Sequence, residues 1–137
     1  MATQKANLIN ELFDLGRYIN SNQENKDLTM IQLRTVMFVQ ECHIVKPTKI
    51  AKYFSITPAS VTSQIDNLVE KGWLERIYNS NDKRVIEVSL SKKGQNQLPK
   101  ELKDLEKNNE WILTTLSKDE QEKSLQLLKK LNKSARK

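Results

Sequence analysis

Cysteine occurs once in these 137 residues, at Cys42, so no internal disulfide framework can staple the fold. Histidine also occurs once, at His43, and two adjacent residues with no further ligand cluster do not make a zinc site. With three glycines there is no phosphate-cradling loop, and neither a Cys–His–acid set nor a paired-carboxylate motif is present. No enzyme activity, metal or cofactor is therefore expected. Only three prolines accompany those glycines, and the abundance of Leu, Lys, Glu and Gln favours helix over sheet. Apolar runs extend for only a few residues, which excludes a transmembrane helix, and the N-terminus lacks the apolar core of a secretory signal. The expectation is a cytoplasmic protein with no membrane partner, long enough for one domain with a sizeable core.

What the chain does have is positive charge, +6 in all, unevenly placed. Residues 1–28 carry three basic and four acidic side chains, net −1, whereas residues 29–94 carry ten and six, net +4. Residues 95–137 carry ten and seven, net +3, with lysines alternating with acids at the spacing of a solvated helix face. The middle segment has the balance expected of a surface that meets phosphates.

Periodicity predicts six helices and one hairpin. Leu8, Leu12, Leu15 and Ile19, with Ile9 and Phe13 beside them, line a first helix that the polar run Asn20–Asp27 ends. Thr29 and Gln32 have capping-box spacing and open a second, carrying Leu33, Val36, Met37 and Val39. Pro47 suits the first turn of a short third helix, Thr48–Phe54. Thr57 as N-cap and Pro58 behind it start a fourth, closed by Gly72. Trp73–Ile77 and Val85–Leu90 read as hairpin strands. Ser91 caps a fifth helix reaching about Leu116, with a stripe of Leu98, Leu102, Leu105, Ile112 and Leu116 and an early bend at Pro99. Ser117 caps the last, bearing Leu125, Leu128 and Leu131.

A polar helix followed by a hairpin with the cationic tip Asp82-Lys83-Arg84 suits duplex DNA: the helix for the major groove, the tip for the minor groove or the phosphates. In the fourth helix Val61, Ile65, Leu68 and Val69 share an inward face, while Ser60, Ser63, Gln64 and Asn67 fall opposite, with Thr62 flanking. Short hydroxyls meet phosphates or base edges, and Gln64 has the groups to pair bidentately with adenine. Lys49 and Lys52 on the preceding helix are candidate phosphate contacts. Arg84 is placed to enter a narrow minor groove, with Asp82 holding its guanidinium and Lys83 near phosphates. Asn79 and Asn81 are assigned only to the turn. The broad apolar stripes at the two ends of the chain favour burial against a second copy, giving a two-fold homodimer.

These residues carry a family resemblance. Leu28-Thr29-x-x-Gln32, Ile50-Ala51, Val61-Thr62, Leu68, Lys71-Gly72-Trp73-Leu74-Glu75-Arg76 and Asp82-x-Arg84, then Leu90-Ser91 and Gly94, resemble the MarR family of winged helix-turn-helix regulators over nearly the whole chain. The resemblance implies a mainly α fold with a small β-hairpin wing. A winged helix-turn-helix at about 29–94 would be flanked by dimerisation helices at about 4–20 and 95–133, in one domain, 1–137. It implies a transcriptional regulator, expected to be a repressor, that binds a pseudo-palindromic double-stranded operator as a homodimer and is released by a small-molecule effector. The DNA-binding set is then Lys49, Thr57, Ser60, Thr62, Ser63, Gln64, Asn67, Asp82, Lys83 and Arg84. Many members carry arginine or lysine near Ser63 and Asn67; this chain has neither, so readout is expected to lean on hydroxyls, amides and A·T-rich shape. Cys42 falls in the second helix, not the first where peroxide-sensing members place theirs, and is read as an inert, semi-buried thiol. Phe13, Tyr18, Met37 and Trp111 are candidates for an effector crevice between the terminal helices and the DNA module, but such stripes are more often plain core, and no effector residues are assigned. The rival reading is a winged helix that uses the same surface for a partner protein, or that antagonises a related regulator.

Overall fold

A computed structural model describes residues 3–22, 27–78, 81 and 86–136. In chain order the elements are α1 (Gln4–Ser21), α2 (Met30–Cys42), α3 (Pro47–Phe54), α4 (Pro58–Glu70), β1 (Leu74–Tyr78), β2 (Ile86–Leu90), α5 (Lys92–Asn108), α6 (Glu110–Thr115) and α7 (Lys118–Ala135). They fall into two compact units, Asp27–Lys103 and the combination of Met1–Lys26 with Asp104–Lys137.

Helix starts follow the predicted caps. Thr29 and Gln32 form a reciprocal capping box at α2, with contacts of 3.2 and 3.0 Å. Thr57 Oγ1 accepts from the Ser60 N–H at 3.1 Å, with Pro58 at the first helical position of α4. Ser91 Oγ accepts from the Gly94 N–H at 2.9 Å and so caps α5. Ser117 and Glu120 make a second box at α7. There the Ser117 backbone N–H, and then its hydroxyl, hold the Glu120 carboxyl below its ordinary pKa. That box is complete at neutral pH and is lost as the pH falls through the lowered value.

Within Asp27–Lys103 the core is made of Leu28, Leu33, Val36, Val39, Ile50, Val61, Ile65, Leu68, Trp73, Leu74, Val88, Leu90 and Leu98, all buried. α4 packs on α3 and β1, while α2 and α3 pack on β2. Phe38 stacks on Tyr53 with ring centroids 4.0 Å apart, and Phe54 meets both rings edge-on, so aromatic contacts join α2 to α3. The Arg34 guanidinium lies 5.1 Å from the centre of the Phe54 ring.

β1 and β2 pair antiparallel, with Leu74 opposite Leu90 and Tyr78 opposite Ile86. The first strand is displaced by one residue from the predicted Trp73–Ile77, because Trp73 is used to close α4. Its N–H donates to Leu68 O at 2.9 Å and that of Gly72, at φ 83°, to Val69 O at 3.0 Å. A third contribution to the ribbon is absent from the sequence reading: Val45 exchanges two backbone hydrogen bonds with Val88, at 3.0 and 2.8 Å. His43 makes this geometry. At φ 67° and ψ −61°, with Ile44 N–H donating to Cys42 O at 2.8 Å, it is the centre of a positive-φ γ-turn, a strained conformation that ends α2.

The predicted fifth helix is two helices among the described residues, and the helix total is seven rather than six. Asn109, at φ −120° and ψ 25°, separates α5 from α6, and its side-chain Nδ2 donates to Leu105 O at 2.9 Å. An asparagine that bonds the helix carbonyls with its own side chain offers the backbone an exit from the helix. α5 runs through Pro99 without ending there. In the unit containing the chain termini, α1, α6 and α7 bury no described residue. The predicted stripes are present but lie open: Phe13 is 77% exposed and Leu125 54%.

Gly94 is held to a hydrogen side chain by its surroundings. A Cβ there would stand 2.3 Å from the Trp73 carbonyl oxygen and 3.2 Å from its carbon, both backbone atoms. Gly94→Ala is expected to lower the stability of this unit by about 1–3 kcal/mol, the usual cost of overpacking. Urea denaturation of the variant and the parent chain measures it, and an unchanged midpoint would show that the junction tolerates a methyl group.

Candidate nucleic-acid interface

α3, a short turn and α4 form the helix-turn-helix. Ser55 ends α3 in the left-handed conformation, φ 54° and ψ 46°, which reverses the chain toward Thr57. Val61, Ile65 and Leu68 then turn α4 inward and are buried, with Val69 half-buried. The opposite side, Ser60, Thr62, Ser63, Asp66, Asn67 and Glu70, is exposed.

These polar side chains are not equally available. Thr57 Oγ1 donates to Ser60 Oγ at 3.0 Å while capping the helix, so both hydroxyls are engaged at the N-terminus. Thr62 Oγ1 bonds back to Pro58 O at 3.0 Å. Ser63 and Asn67 are exposed and their side chains make no hydrogen bond among the described residues. They are the two amide or hydroxyl groups most open to an external partner.

Gln64 departs from its expected place. It is half-buried, and its amide oxygen lies 3.1 Å from Thr35 Oγ1 on α2, which is also 2.7 Å from Ile31 O. Position 64 lies three residues after Val61 and four before Leu68, at the edge of the buried face, so the side chain turns toward α2. Gln64 ties two helices together instead of standing out as a base reader.

Asp66 places an acid on the exposed side of α4. The charge is matched: Arg76 on β1 forms an ion pair with Asp66, the side chains being 27% and 60% exposed. This pair joins the first strand of the wing to the outer side of α4. The sequence offers no local signal for it, since the partners are ten residues apart on different elements.

Cations divide into two groups. Lys49 and Lys52 on α3, with Lys46 at its N-cap, are exposed. Lys71 and Lys93 are structural: Lys71 Nζ donates to Asp27 O and to Gln32 Oε1, and Lys93 Nζ donates to Lys71 O at 3.2 Å. Both lie where the α4 dipole is negative. Asp82, Lys83 and Arg84, together with Asn79, lie outside the described residues. Cys42 is a free, half-buried thiol. Among the described residues no cluster of His, Cys, Asp or Glu has the makings of a metal site, and no helix is long and apolar enough to cross a membrane.

This geometry has close counterparts. The model of the MarR family matches residues 28–86, from the start of α2 into the wing. The multiple antibiotic resistance protein MarR of Escherichia coli is 31% identical over 100 residues, covering 65% of this chain and 69% of its own. The chain belongs to the MarR family. Among solved structures, a mutant MarR from E. coli complexed with operator DNA superposes with a TM-score of 0.71 at 27% identity, covering 91% of both chains. The transcriptional regulator SlyA, at 23% identity, shares the fold with a TM-score of 0.80 over 94% of both chains.

The Asp66–Arg76 pair is open to a direct measurement. A double-mutant cycle with Asp66→Ala and Arg76→Ala is expected to give a coupling of about 0.5–1 kcal/mol, small because the acid is more than half exposed, and smaller at high salt. Additive effects of the two substitutions would show that the pair does not hold the wing.

Proposed function

We propose that this MarR-family protein is a transcriptional regulator that binds double-stranded DNA sequence-specifically, as a repressor at a pseudo-palindromic operator. The observation that carries the reading is the outer face of α4, packed against α3 with its exposed lysines, where Ser63 and Asn67 are exposed and make no side-chain hydrogen bond among the described residues. In this reading α4 enters the major groove. Lys49 and the Thr57–Ser60 hydroxyl pair meet phosphates at the helix N-terminus, where the dipole favours anions, and Thr62 lies beside them. Asp82, Lys83 and Arg84 extend the contact to the minor groove and the adjacent backbone. Gln64 supports the helix from behind.

The same reading makes the working molecule a cytoplasmic homodimer. Apolar side chains exposed on α1 and α7, among them Leu8, Ile9, Phe13, Leu125, Leu127 and Leu131, offer the surface that such a partner copy would cover. A second copy that buries them brings two recognition helices to one duplex. Release by a small-molecule effector completes the proposal. The operator complex of the E. coli MarR mutant, and a Bacillus subtilis relative that is a transcriptional repressor, support the DNA-binding and repressor parts of this reading.

Assembly and DNA binding are separately measurable. Sedimentation equilibrium at micromolar concentration is expected to show a dimer, and deletion of residues 1–20 to cause aggregation or unfolding; a stable, soluble monomer would rule out the shared core. Ser63→Ala and Asn67→Ala are expected to weaken operator binding more than binding to random duplex, by about 1 kcal/mol each for single base-edge contacts. Equal losses on both DNAs would confine this face to phosphate contact. At the wing, Lys83→Ala is expected to weaken all duplexes alike and reduce the log–log salt slope by about 0.9. Arg84→Ala is expected to cost more on A·T-rich sites, with no rescue by Arg84→Lys, since the ammonium lacks the planar fork that Asp82 holds. Binding by Arg84→Lys equal to that of the parent chain would overturn the assigned role. A protein partner bound at α4, with no DNA affinity at low salt, would favour the protein-interaction reading.

A further inference from the structure

The two strands of the wing sort their charge between the faces of the ribbon. Residues opposite one another in an antiparallel pair share a face, and successive residues alternate between faces. Leu74, Arg76 and Tyr78 of β1 therefore lie on one side with Leu90, Val88 and Ile86 of β2. Glu75 and Ile77 lie on the other, opposite Ser89 and Glu87, so both acids of the two strands are there. The acid-free side is the one turned toward α4. Leu74, Val88 and Leu90 are buried in the core, and Arg76 reaches Asp66 on the exposed side of that helix. Tyr78 is next in line, about 7 Å farther out along the strand. It is 60% exposed, and its hydroxyl makes no hydrogen bond among the described residues.

We propose that Tyr78 is a DNA-contacting residue whose hydroxyl donates to a backbone phosphate, on the stretch of duplex between the groove that α4 enters and the wing tip. The inference rests on the DNA-binding reading above and adds to it a contact outside α3, α4 and the tip. Position comes first. A duplex seated on the outer face of α4 passes in front of the ribbon side that Arg76 ties to that helix, and Tyr78 is the exposed residue of β1 on that side. Charge agrees with position, because neither strand places an acid there to repel phosphates. The chemistry also matches: phosphate oxygens accept, and an unengaged phenol has a proton to give. A phenol carries no charge, so, unlike Lys83, it neutralises no phosphate and releases no counterion. That difference separates its contribution from that of the cations around it.

The test is a binding titration of the full chain over a salt series, on a genomic fragment that the protein retains and on random duplex. Tyr78→Phe removes the hydroxyl alone. It is expected to weaken both DNAs alike by about ten-fold, the effect of losing one hydrogen bond to a charged group, with the log–log salt slope unchanged. Tyr78→Lys puts a charge at the same place, and is expected to recover the affinity at low salt and steepen the slope by about 0.9. Methylphosphonate substitution of the fragment, one phosphate at a time, then locates the contact. At the phosphate that Tyr78 meets, replacement should weaken the parent chain by about ten-fold more than it weakens Tyr78→Phe, a pairing that a merely structural tyrosine would not produce. Parent-like binding by Tyr78→Phe, a slope unmoved by Tyr78→Lys, or equal sensitivity of parent and Tyr78→Phe at every phosphate would each overturn the proposal and leave the DNA-binding reading standing. Failure of the parent chain to bind any duplex at low salt would overturn both.

Discussion

The carbonyl of Trp73 is the point on which the DNA-facing unit depends. It accepts the Ser91 N–H at 3.0 Å and the Ser91 hydroxyl at 3.2 Å, while Gly94 approaches so closely that no side chain fits. The same hydroxyl also reaches Gly72 O and receives the Gly94 N–H at 2.9 Å. Three events meet there: α4 ends, the wing begins and ends, and α5 starts. The base of the ribbon is thereby held to the end of α4, so the direction in which the wing leaves the body is set by backbone atoms. A single serine and a single glycine carry out this closure, which gives a physical reason for the Leu90-Ser91-x-x-Gly94 pattern.

From that junction α4, the proposed recognition helix, is held on three sides. Gln64 anchors it to Thr35 on α2, Arg76 anchors it to the wing through Asp66, and Lys71 and Lys93 tie its C-terminal end to neighbouring backbone. Each anchor removes a polar side chain from the set that a duplex would meet. Ser63 and Asn67 remain, with the lysines of α3 beside them. A helix held in this manner loses little freedom on docking, so more of the interaction energy is expressed as affinity. In the proposed binding mode, the absence of arginine and lysine from the outer face of α4 leaves base recognition to short hydroxyl and amide groups.

The features legible in the sequence are those whose partners lie within a few residues. The capping boxes at Thr29 and Ser117, the Thr57-Pro58 helix start and the closing Gly72 are local chemistry, and the structure shows each of them. The inward face of α4 followed from period alone. Gln64 did not, because it lies at the boundary of that face and its partner is 29 residues away. The Asp66–Arg76 pair and the Val45–Val88 bridge are tertiary matches between residues that look unremarkable in isolation. The division of the long helix at Asn109 was hidden by an apolar stripe that continues in register on both sides. Periodicity reports which face is apolar, and a single side-chain bond to Leu105 decides where the backbone leaves the helix.

The central claim is that two copies of this unit, each presenting α4, read one duplex together. Hydroxyl-radical footprinting on a genomic fragment retained by the protein tests it most directly. The account predicts two protected patches of equal strength, related by two-fold symmetry, with centres about 34–36 Å apart on one face of the duplex. A single unsymmetrical patch, or no protection at low salt, would contradict it.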